Sequence, residues 1–280
     1  MVAYKTILVH LDRMDRAVNR VRIAINLAKE EDACLVGLSM VGVSTQAFYD
    51  ARIYEKDPAL ASHLGFLEDR ARKYAEDFIE EVHVSGHFSY EARVVDGEAN
   101  HGVSIQARYS DLVVIGRVNL EEEAPLVQPD FPEFVVIHAG RPVLIIPPGY
   151  QKETVGSKVL VAWNASAEAR RAVTDAIPIL RRAEVVEVAM FNADVEPEMR
   201  DQNSVSDFAV FLARHGVNVT IFEPQQARHI GQALLDMAEK RGSDLLVLGG
   251  YGQTRFRQFL LGGVTRTILG ETEVPVLMSH

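Results

Sequence analysis

Short runs of apolar residues alternate along this chain with longer stretches in which apolar residues recur every three or four positions. The runs have the length of buried strands, and the spacing in the stretches predicts helices with one apolar face. Strands that alternate with helices favour a parallel sheet covered by helices on both faces. The predicted strands are residues 6–11, 33–41, 90–95, 111–116, 142–146, 157–163, 184–191, 217–222, 244–249 and 274–278.

The same succession of segments occurs twice, in the same order. This agreement predicts a tandem duplication, joined in the turn-rich residues 147–156. The first half has a longer excursion over residues 43–84, whose later part (67–79) is predicted to belong to a long second helix packed on the sheet. The matching segments are 5–12 with 158–164, 16–25 with 167–177, 110–116 with 243–249, and 141–147 with 274–280.

Composition and charge exclude several classes of function. The net charge is −10 and no block of basic residues occurs, so a nucleic-acid partner is not expected. No apolar run approaches the length of a membrane span, and Met1 leads directly into the first predicted strand rather than into a signal peptide. Cys34, the single cysteine, lies in an apolar run and is predicted to be a core residue. We therefore expect a soluble cytoplasmic protein with no membrane partner.

Glycines concentrate around one loop of the second half. Gly249 ends a predicted strand, Gly252 follows it, and Gly262 and Gly263 stand at the start of the next predicted helix. Paired glycines before a helix leave backbone N–H groups accessible, which is a common way for a protein to hold a phosphate. The pattern therefore indicates a nucleotide as the first ligand to test. The alternative is a turn and a tight helix start with no ligand.

The spacing of Gly249, Gly252 and Gly262, together with the closing segment Val274-Pro-Val-Leu, resembles the motif of the universal stress protein family in its tandem two-domain form. The resemblance spans essentially the whole chain. It implies an α/β fold of two tandem, doubly wound domains, each a five-stranded parallel sheet with strand order 3-2-1-4-5. Such a fold is Rossmann-like and similar to that of the adenine-nucleotide α-hydrolases. Residues 1–149 are expected to form the first domain and residues 156–280 the second.

The resemblance also implies where a nucleotide binds. In this strand order strands one and four are neighbours, and a crevice opens at their carboxyl ends. In the second half these strands end at Asn164 and Gly249. The implied nucleotide-binding residues are Ala162, Asn164, Met190, Gly249, Gly252, Gly262, Gly263, Val264 and Thr265. The first three of these are expected to contact the adenine and ribose, and the others the phosphates.

Two of these positions depart from the family pattern. Asn164 stands where the family usually has aspartate; an amide can still contact a ribose hydroxyl or an adenine edge, but the alternative is that Asn164 only caps the following helix. Gly263 stands where the family has serine or threonine, which removes one hydrogen bond worth about 1 kcal/mol. Thr265 is either a substitute hydroxyl or a helix residue that faces solvent.

The first half lacks the glycine loop. Gly116 ends the equivalent strand without a second glycine after it, and the predicted counterpart of Gly262–Val264 is residues 132–134, a proline, a glutamate and a phenylalanine. Proline removes a donor, and the glutamates at 121–123 would repel phosphates. Asp12 keeps the family's base-binding aspartate. We expect the first half to bind no nucleotide through this motif, and to act as a structural partner or to hold a different ligand.

The favoured hypothesis is a nucleotide-sensing regulator in a stress response, whose second domain binds ATP or AMP, with Mg²⁺ as a candidate companion ion. The alternative is a nucleotide-independent scaffold or small-ligand binder. An enzyme is disfavoured because the sequence has no catalytic motif and no metal-ligand spacing; only slow ATP hydrolysis is kept as a possibility. The family often pairs its last strands across a dimer. Here residues 142–146 and 274–278 are expected to pair within one chain, and a homodimer is a further candidate.

Overall fold

The computed structural model describes residues 3–42, 58–87, 89–118, 127–191, 204–224, 229–251 and 263–280. Its strands lie where the apolar runs predict them, and the central strands bury nearly every side chain, as strands covered on both faces must. The strands are β1 Thr6–Leu11, β2 Cys34–Met40, β3 Tyr90–Val95, β4 Leu112–Gly116, β5 Val143–Ile146, β6 Lys158–Trp163, β7 Val185–Met190, β8 Thr220–Phe222, β9 Leu245–Gly249 and β10 Val276–Ser279.

Eight α-helices accompany these strands in the described residues, and none of them is long and apolar enough to cross a membrane. The predicted long second helix is confirmed: α2 packs against β2 and β3 and begins well before residue 67. The helices are α1 Met14–Glu31, α2 Pro58–Ser85, α3 Ala99–Gln106, α4 Phe131–His138, α5 Ala167–Leu180, α6 Ser204–Arg214, α7 Ile230–Arg241 and α8 Gly263–Glu271.

Contacts divide the chain into two compact units. The first unit comprises Tyr4–Arg141 with Gln151–Glu153, and the second consists mainly of Pro142–Tyr150 and Thr154–His280. In the second unit the strand order β8-β7-β6-β9-β10 is the predicted order 3-2-1-4-5. In the first unit the order β3-β2-β1-β4 matches the same prediction for the first four strands. The doubly wound α/β fold predicted for the chain is therefore confirmed.

One strand departs from a wholly parallel arrangement. β5 pairs antiparallel with β10, with Leu144 opposite Leu277. Both strands lie in the second unit, although the sequence of β5 closes the first repeat. The prediction that these two strands pair within one chain is confirmed. All four residues of β5 are buried, so water cannot reach their backbone N–H and C=O groups. The pairing with β10 supplies the hydrogen-bond partners that these groups need.

Both repeats fix the start of their first strand with an aspartate that precedes their fourth strand. Asp111 accepts hydrogen bonds from the backbone N–H groups of Lys5 (2.8 Å) and Thr6 (3.0 Å). Asp244 accepts hydrogen bonds of 2.8–3.1 Å from the N–H groups of residues 156–158. The same residue type thus performs the same function at the same place in each repeat, which supports the duplication.

The eighth strand is shorter than the predicted 217–222 and begins at Thr220. The reason is the end of α6. Gly216 adopts a left-handed backbone (φ 78°), and the N–H of Val217 donates to the carbonyl of Leu212 at 3.0 Å. This is a helix-terminating arrangement, so Val217 packs against its helix instead of extending the strand.

Candidate functional site

The candidate site lies at the carboxyl ends of β6 and β9. The two strands are parallel neighbours, with Val161 opposite Val247, so their carboxyl ends lie side by side. β6 pairs with β7 on its other edge, and the order of strands therefore reverses at β6. Doubly wound sheets bind ligands at such a reversal. Two loops begin here, one after Trp163 and one after Gly249.

The loop after β6 is held by short side-chain hydrogen bonds. Asn164 Oδ1 accepts from the N–H of Ser166 at 3.2 Å, and Ser166 Oγ accepts from the N–H of Ala169 at 3.1 Å. Ser166 is therefore the residue that caps α5, and Asn164 shapes the turn before it. Asn164 is exposed, and its side-chain NH₂ makes no hydrogen bond within the described residues. That amide is available as a donor.

Gly249 has a packing role of its own. A Cβ added there would lie 2.5 Å from the backbone nitrogen of Ala169 and 2.6 Å from the carbonyl carbon of Glu168. These atoms belong to the first turn of α5, whose backbone cannot move aside as a flexible side chain can. The glycine therefore allows α5 to pack against the end of β9. Its place in the glycine motif does not by itself require a ligand.

Both loops contain a residue with an unusual backbone conformation. Ala165 (φ 60°) and Tyr251 (φ 55°) are left-handed, and the other described non-glycine residue of this kind is Asp32 at the end of α1. A left-handed conformation costs a residue with a side chain about 1–2 kcal/mol, so the surrounding structure must hold it in place. Such residues concentrate at functional sites.

The loop after β9 forms hydrogen bonds with the last two residues, Ser279 and His280. The N–H of Gly250 donates to the carbonyl of Ser279 at 2.9 Å, and His280 Nδ1 lies 3.1 Å from the carbonyl oxygen of Gly250. Ser279 Oγ donates to Asp175 of α5 at 2.8 Å, and Arg171 of the same helix donates to the carbonyl of His280. These contacts were not predicted from the sequence, because no motif marks the last two residues.

The start of α8 is open on one side. Gly263 is exposed, and a Cβ added to it would meet no atom of the described structure within 4 Å. Val264 is half-buried, and Thr265 is only 4 % exposed. The alternative that Thr265 faces solvent is therefore wrong. The other two predicted loop residues, Gly252 and Gly262, lie outside the described residues.

The structure separates Ala162 from Met190. Ala162 pairs with Ala189, and Trp163 pairs with Met190, so Ala162 and Met190 project from opposite faces of the sheet. Met190 is 2 % exposed and lies on the face where Trp163 stacks on Phe208 of α6, with ring centroids 4.0 Å apart. A ligand on the Ala162 face would not meet the Met190 side chain.

The equivalent place in the first unit is filled by an arginine. The β1–β4 and β6–β9 registers are the same, so Asp12 corresponds to Asn164, and His10 to Ala162. Arg20 of α1 reaches into this place, donating from Nη2 to Asp12 Oδ1 at 2.7 Å and from Nε to the carbonyl of His10 at 3.1 Å. Only 6 % of the Arg20 side chain is exposed. The aspartate of the family pattern is thus neutralised from within the protein.

Further side chains complete this filling. A Cβ added to Gly116 would lie 2.1 Å from Arg20 Nη1, so the guanidinium lies directly against the end of β4. Phe131, the first residue of α4, is 1 % exposed, and its ring centroid lies 5.0 Å from that of His10. Pro132 removes one N–H donor from the first turn of α4. The predicted repulsive glutamates at 121–123 lie outside the described residues.

His10 is held in its neutral form. Its pKa is lowered to about 4, chiefly because the buried imidazolium loses its water; Asp12 opposes this shift and Arg20 contributes to it. Nδ1 of His10 has no hydrogen-bond partner among the described residues. The sequence predicted a packed histidine at this position, and its 2 % exposure confirms that prediction.

Comparisons with known proteins agree with this fold. Residues 157–280 match the model of the Universal stress protein family. A universal stress protein from Archaeoglobus fulgidus DSM 4304 superposes with a TM-score of 0.72 at 14 % identity, covering 98 % of this chain and 97 % of that chain. A protein of unknown function from Pseudomonas aeruginosa PAO1 superposes with a TM-score of 0.58 at 17 % identity, covering 99 % and 92 %. No curated protein sequence matches. At these identities the structural likeness shows a shared fold.

Proposed function

We propose that residues 157–280, which match the model of the Universal stress protein family, bind ATP or AMP with Mg²⁺ as a companion ion. We further propose that occupancy regulates the action of the protein in a stress response. The observation that carries the proposal is the exposed side chain of Asn164 at the reversal of strand order, where β6 and β9 end side by side. Ala162 and Asn164 stand there in place of a buried histidine and a neutralised aspartate, and the described residues of this half contain no equivalent of Arg20.

The chemistry of the two loops supports an adenine nucleotide. The exposed NH₂ of Asn164 can donate to an adenine nitrogen or a ribose oxygen. Gly263 opens α8, where the first backbone N–H groups and the positive end of the helix dipole favour a phosphate. The space beside Gly263 lets a phosphate approach the backbone closely. Hydrolysis needs a positioned base or metal ligand, for which the sequence has no motif, so we propose a binding protein rather than an enzyme.

We propose that residues 1–149 and 156–280 form the two domains of the duplication, in a cytoplasmic protein. We also propose a homodimer, whose interface lies elsewhere than β10, because β10 already has partners on both edges. Size-exclusion chromatography with light scattering tests this part. A monomer of 31.1 kDa at micromolar concentration would contradict the dimer and leave the nucleotide proposal unaffected.

Nucleotide binding is tested by releasing and identifying any nucleotide in the purified protein, followed by titration with ATP and AMP. Trp163 is the only tryptophan and precedes Asn164, so its fluorescence should report binding. Gly263→Glu places a carboxylate at the phosphate end of α8, and we expect it to abolish a micromolar affinity. Gly270→Glu adds the same charge at the other, exposed end of this helix and should leave affinity within about two-fold. Equal affinities in both variants would place the nucleotide elsewhere.

The scaffold alternative also has specific support. Gly249 is required for packing of α5, and the oxygen of Asn164 is engaged with Ser166, so two residues of the motif have structural reasons to be present. A purified protein that carries no nucleotide, and gives neither heat nor a fluorescence change with millimolar ATP or AMP, would favour the scaffold. The two outcomes are mutually exclusive.

A further inference from the structure

A second cleft, in the first unit, lies at the carboxyl ends of β1 and β2, where α2 and α3 approach the sheet. Its enclosed part amounts to about 10 Å³, which is about enough for one water-sized group and far too small for a nucleoside. We call it the Arg70 cleft. Its principal lining residues are His10, Asp12, Met40, Arg70, Tyr74 and Ala99.

Arg70 of α2 brings an uncompensated positive charge to this cleft. Its Nη2 donates to the carbonyl of Val41 at 3.3 Å, and a Cβ added to Gly42 would lie 3.4 Å from the same atom. Within the part of the chain that the structure describes, its buried Nε has no hydrogen-bond partner and no acidic group pairs with its guanidinium. Burying a guanidinium N–H without an acceptor is costly, so the arrangement favours an acceptor from outside the protein.

A second buried group points to the same missing acceptor. His10 lines the cleft and is 2 % exposed, and its Nδ1 has no hydrogen-bond partner among the described residues. Because the ring is neutral at pH 7, Nδ1 can carry the proton and donate it to an anion at no charge cost.

The first turn of α3 adds backbone donors. Glu98, at the N-cap, makes no side-chain capping bond, and the first bond of this helix runs from the N–H of Gly102 to the carbonyl of Glu98 (2.9 Å). The N–H groups of residues 99–101 therefore have no partner within the helix. Ala99, which lines the cleft, places this end of the helix against it. A helix N-terminus of this kind favours a negative group.

The charges around the cleft favour a monoanion. Asp12 also lines it, but its carboxylate is paired with Arg20, so Arg70 is left as the net charge of +1. This local excess contrasts with a net charge of −10 for the chain. A dianion such as phosphate would bring a second negative charge, which Arg70 does not neutralise and which the carboxylate of Asp12 would repel. A carboxylate matches both the single positive charge of Arg70 and its planar guanidinium group.

We propose that the Arg70 cleft binds the carboxylate of a small ligand, with one carboxylate oxygen in the enclosed part and the rest of the molecule towards solvent. Arg70 and the first turn of α3 supply the charged and backbone donors, and His10 supplies a neutral one. The site is separate from the nucleotide site proposed in the second unit and does not depend on it.

The Nε–H resonance of Arg70 in the nitrogen-15-labelled full-length protein reports on this site directly. The protein is titrated with sodium acetate and, in a parallel experiment, with sodium chloride at equal ionic strength. The resonance of Arg70 is identified by its absence from the spectrum of Arg70→Gln. We expect a saturable shift of this resonance with acetate and none with chloride. We also expect acetate to raise the thermal unfolding midpoint of the wild type, through an affinity that Arg70→Gln lowers about ten-fold or more.

Arg72→Gln is the matched control, since Arg72 lies on the same helix with a side chain that is 64 % exposed. It should keep the acetate response in full. An Arg70 resonance that moves equally with acetate and chloride would overturn the site, and so would an acetate response that survives in Arg70→Gln. A saturable response to sodium phosphate but not to acetate would overturn the assignment to a carboxylate.

Discussion

The two repeats have the same strand register at the ends of their first and fourth strands, yet these ends are used differently. In the first repeat Arg20 crosses from α1 to Asp12, and Phe131 packs on His10. In the second repeat the equivalent positions are Ala162, which is half-buried, and Asn164, which is exposed. The difference shows that equivalent positions of the same backbone fold can hold either a buried, paired side chain or an exposed one.

The glycines that end the fourth strands make the same contrast in another way. Gly116 faces the tip of a side chain, Arg20, whereas Gly249 faces the backbone of α5. A side chain can rearrange and a helix backbone cannot, so the second repeat tolerates less change at this position. The end of β9 therefore has a rigid neighbour in the first turn of α5.

The largest expected effect concerns this contact. Gly249→Ala should destabilise the second unit by about 3 kcal/mol, because the new methyl overlaps the first turn of α5. Gly116→Ala should cost the first unit about 1 kcal/mol, because the end of Arg20 can move. Urea unfolding followed by Trp163 fluorescence reports the second unit, and circular dichroism reports both. Equal losses for the two variants would show that the contact with α5 adjusts more easily than the distances indicate.

The next effect concerns acid. The pKa of His10 is about 4 in the folded protein against 6.5 for an ordinary histidine. Between these values the unfolded chain holds the proton and the folded chain does not, so stability falls as the pH drops from 6.5 to 4. The fall is about 1.4 kcal/mol per pH unit and about 3 kcal/mol in all.

His10→Leu should remove this component, which is measured as the difference in slope of the unfolding free energy against pH between variant and wild type. Ala162, at the equivalent position of the second repeat, contributes no such slope. Parallel slopes for the wild type and His10→Leu would contradict a buried neutral histidine.

A smaller effect compares the aspartates that fix the first strands. Asp244 receives three backbone N–H groups and Asp111 receives two. We expect Asp244→Asn to cost about 2 kcal/mol and Asp111→Asn about 1 kcal/mol, since an amide loses the charge and one acceptor oxygen. The unfolding midpoints of the two variants measure this difference. The reverse ranking would mean that the number of N–H bonds does not set the cost.

The smallest effect comes from exchanging the equivalent residues after the first strands. Asn164→Asp should change stability by less than about 0.5 kcal/mol, because the position is exposed and an oxygen still accepts from Ser166. Asp12→Asn should cost about 1 kcal/mol, because it removes the negative charge that faces the buried Arg20 while an oxygen remains to accept its hydrogen bond. Thermal unfolding of both variants provides the measurement, and a costly Asn164→Asp would show that the loop depends on the amide.

The fold could be predicted from the sequence because strand identity depends on local composition. The predicted run 6–11 matches Thr6–Leu11, and the predicted run 90–95 matches Tyr90–Val95. The order of the strands followed from the resemblance to a known family, and the pairing of the two last strands followed with it. Errors remained at strand ends such as Val217, where a helix-terminating turn outweighs strand preference.

The interior of the crevices could not be predicted in the same way. Arg20 occupies a polar position on an amphipathic helix, and nothing near it in the sequence shows that it turns inwards to Asp12. That orientation depends on Gly116, far along the chain, which leaves room for the guanidinium. Likewise the spacing of Gly249 predicted a phosphate contact, while its close approach to α5 appears only in three dimensions.

The antiparallel pair β5–β10 has a consequence for how the polypeptide can be divided. A fragment that starts after residue 149, where the repeats join in the sequence, would lose β5 and leave one edge of β10 without a partner. An unpaired edge recruits strands from other molecules. A fragment that starts at Pro142 keeps the pair. In the intact chain β5 and β10 belong to the same polypeptide, so this edge of β10 stays paired at any protein concentration. Pairing of β10 therefore does not depend on self-association.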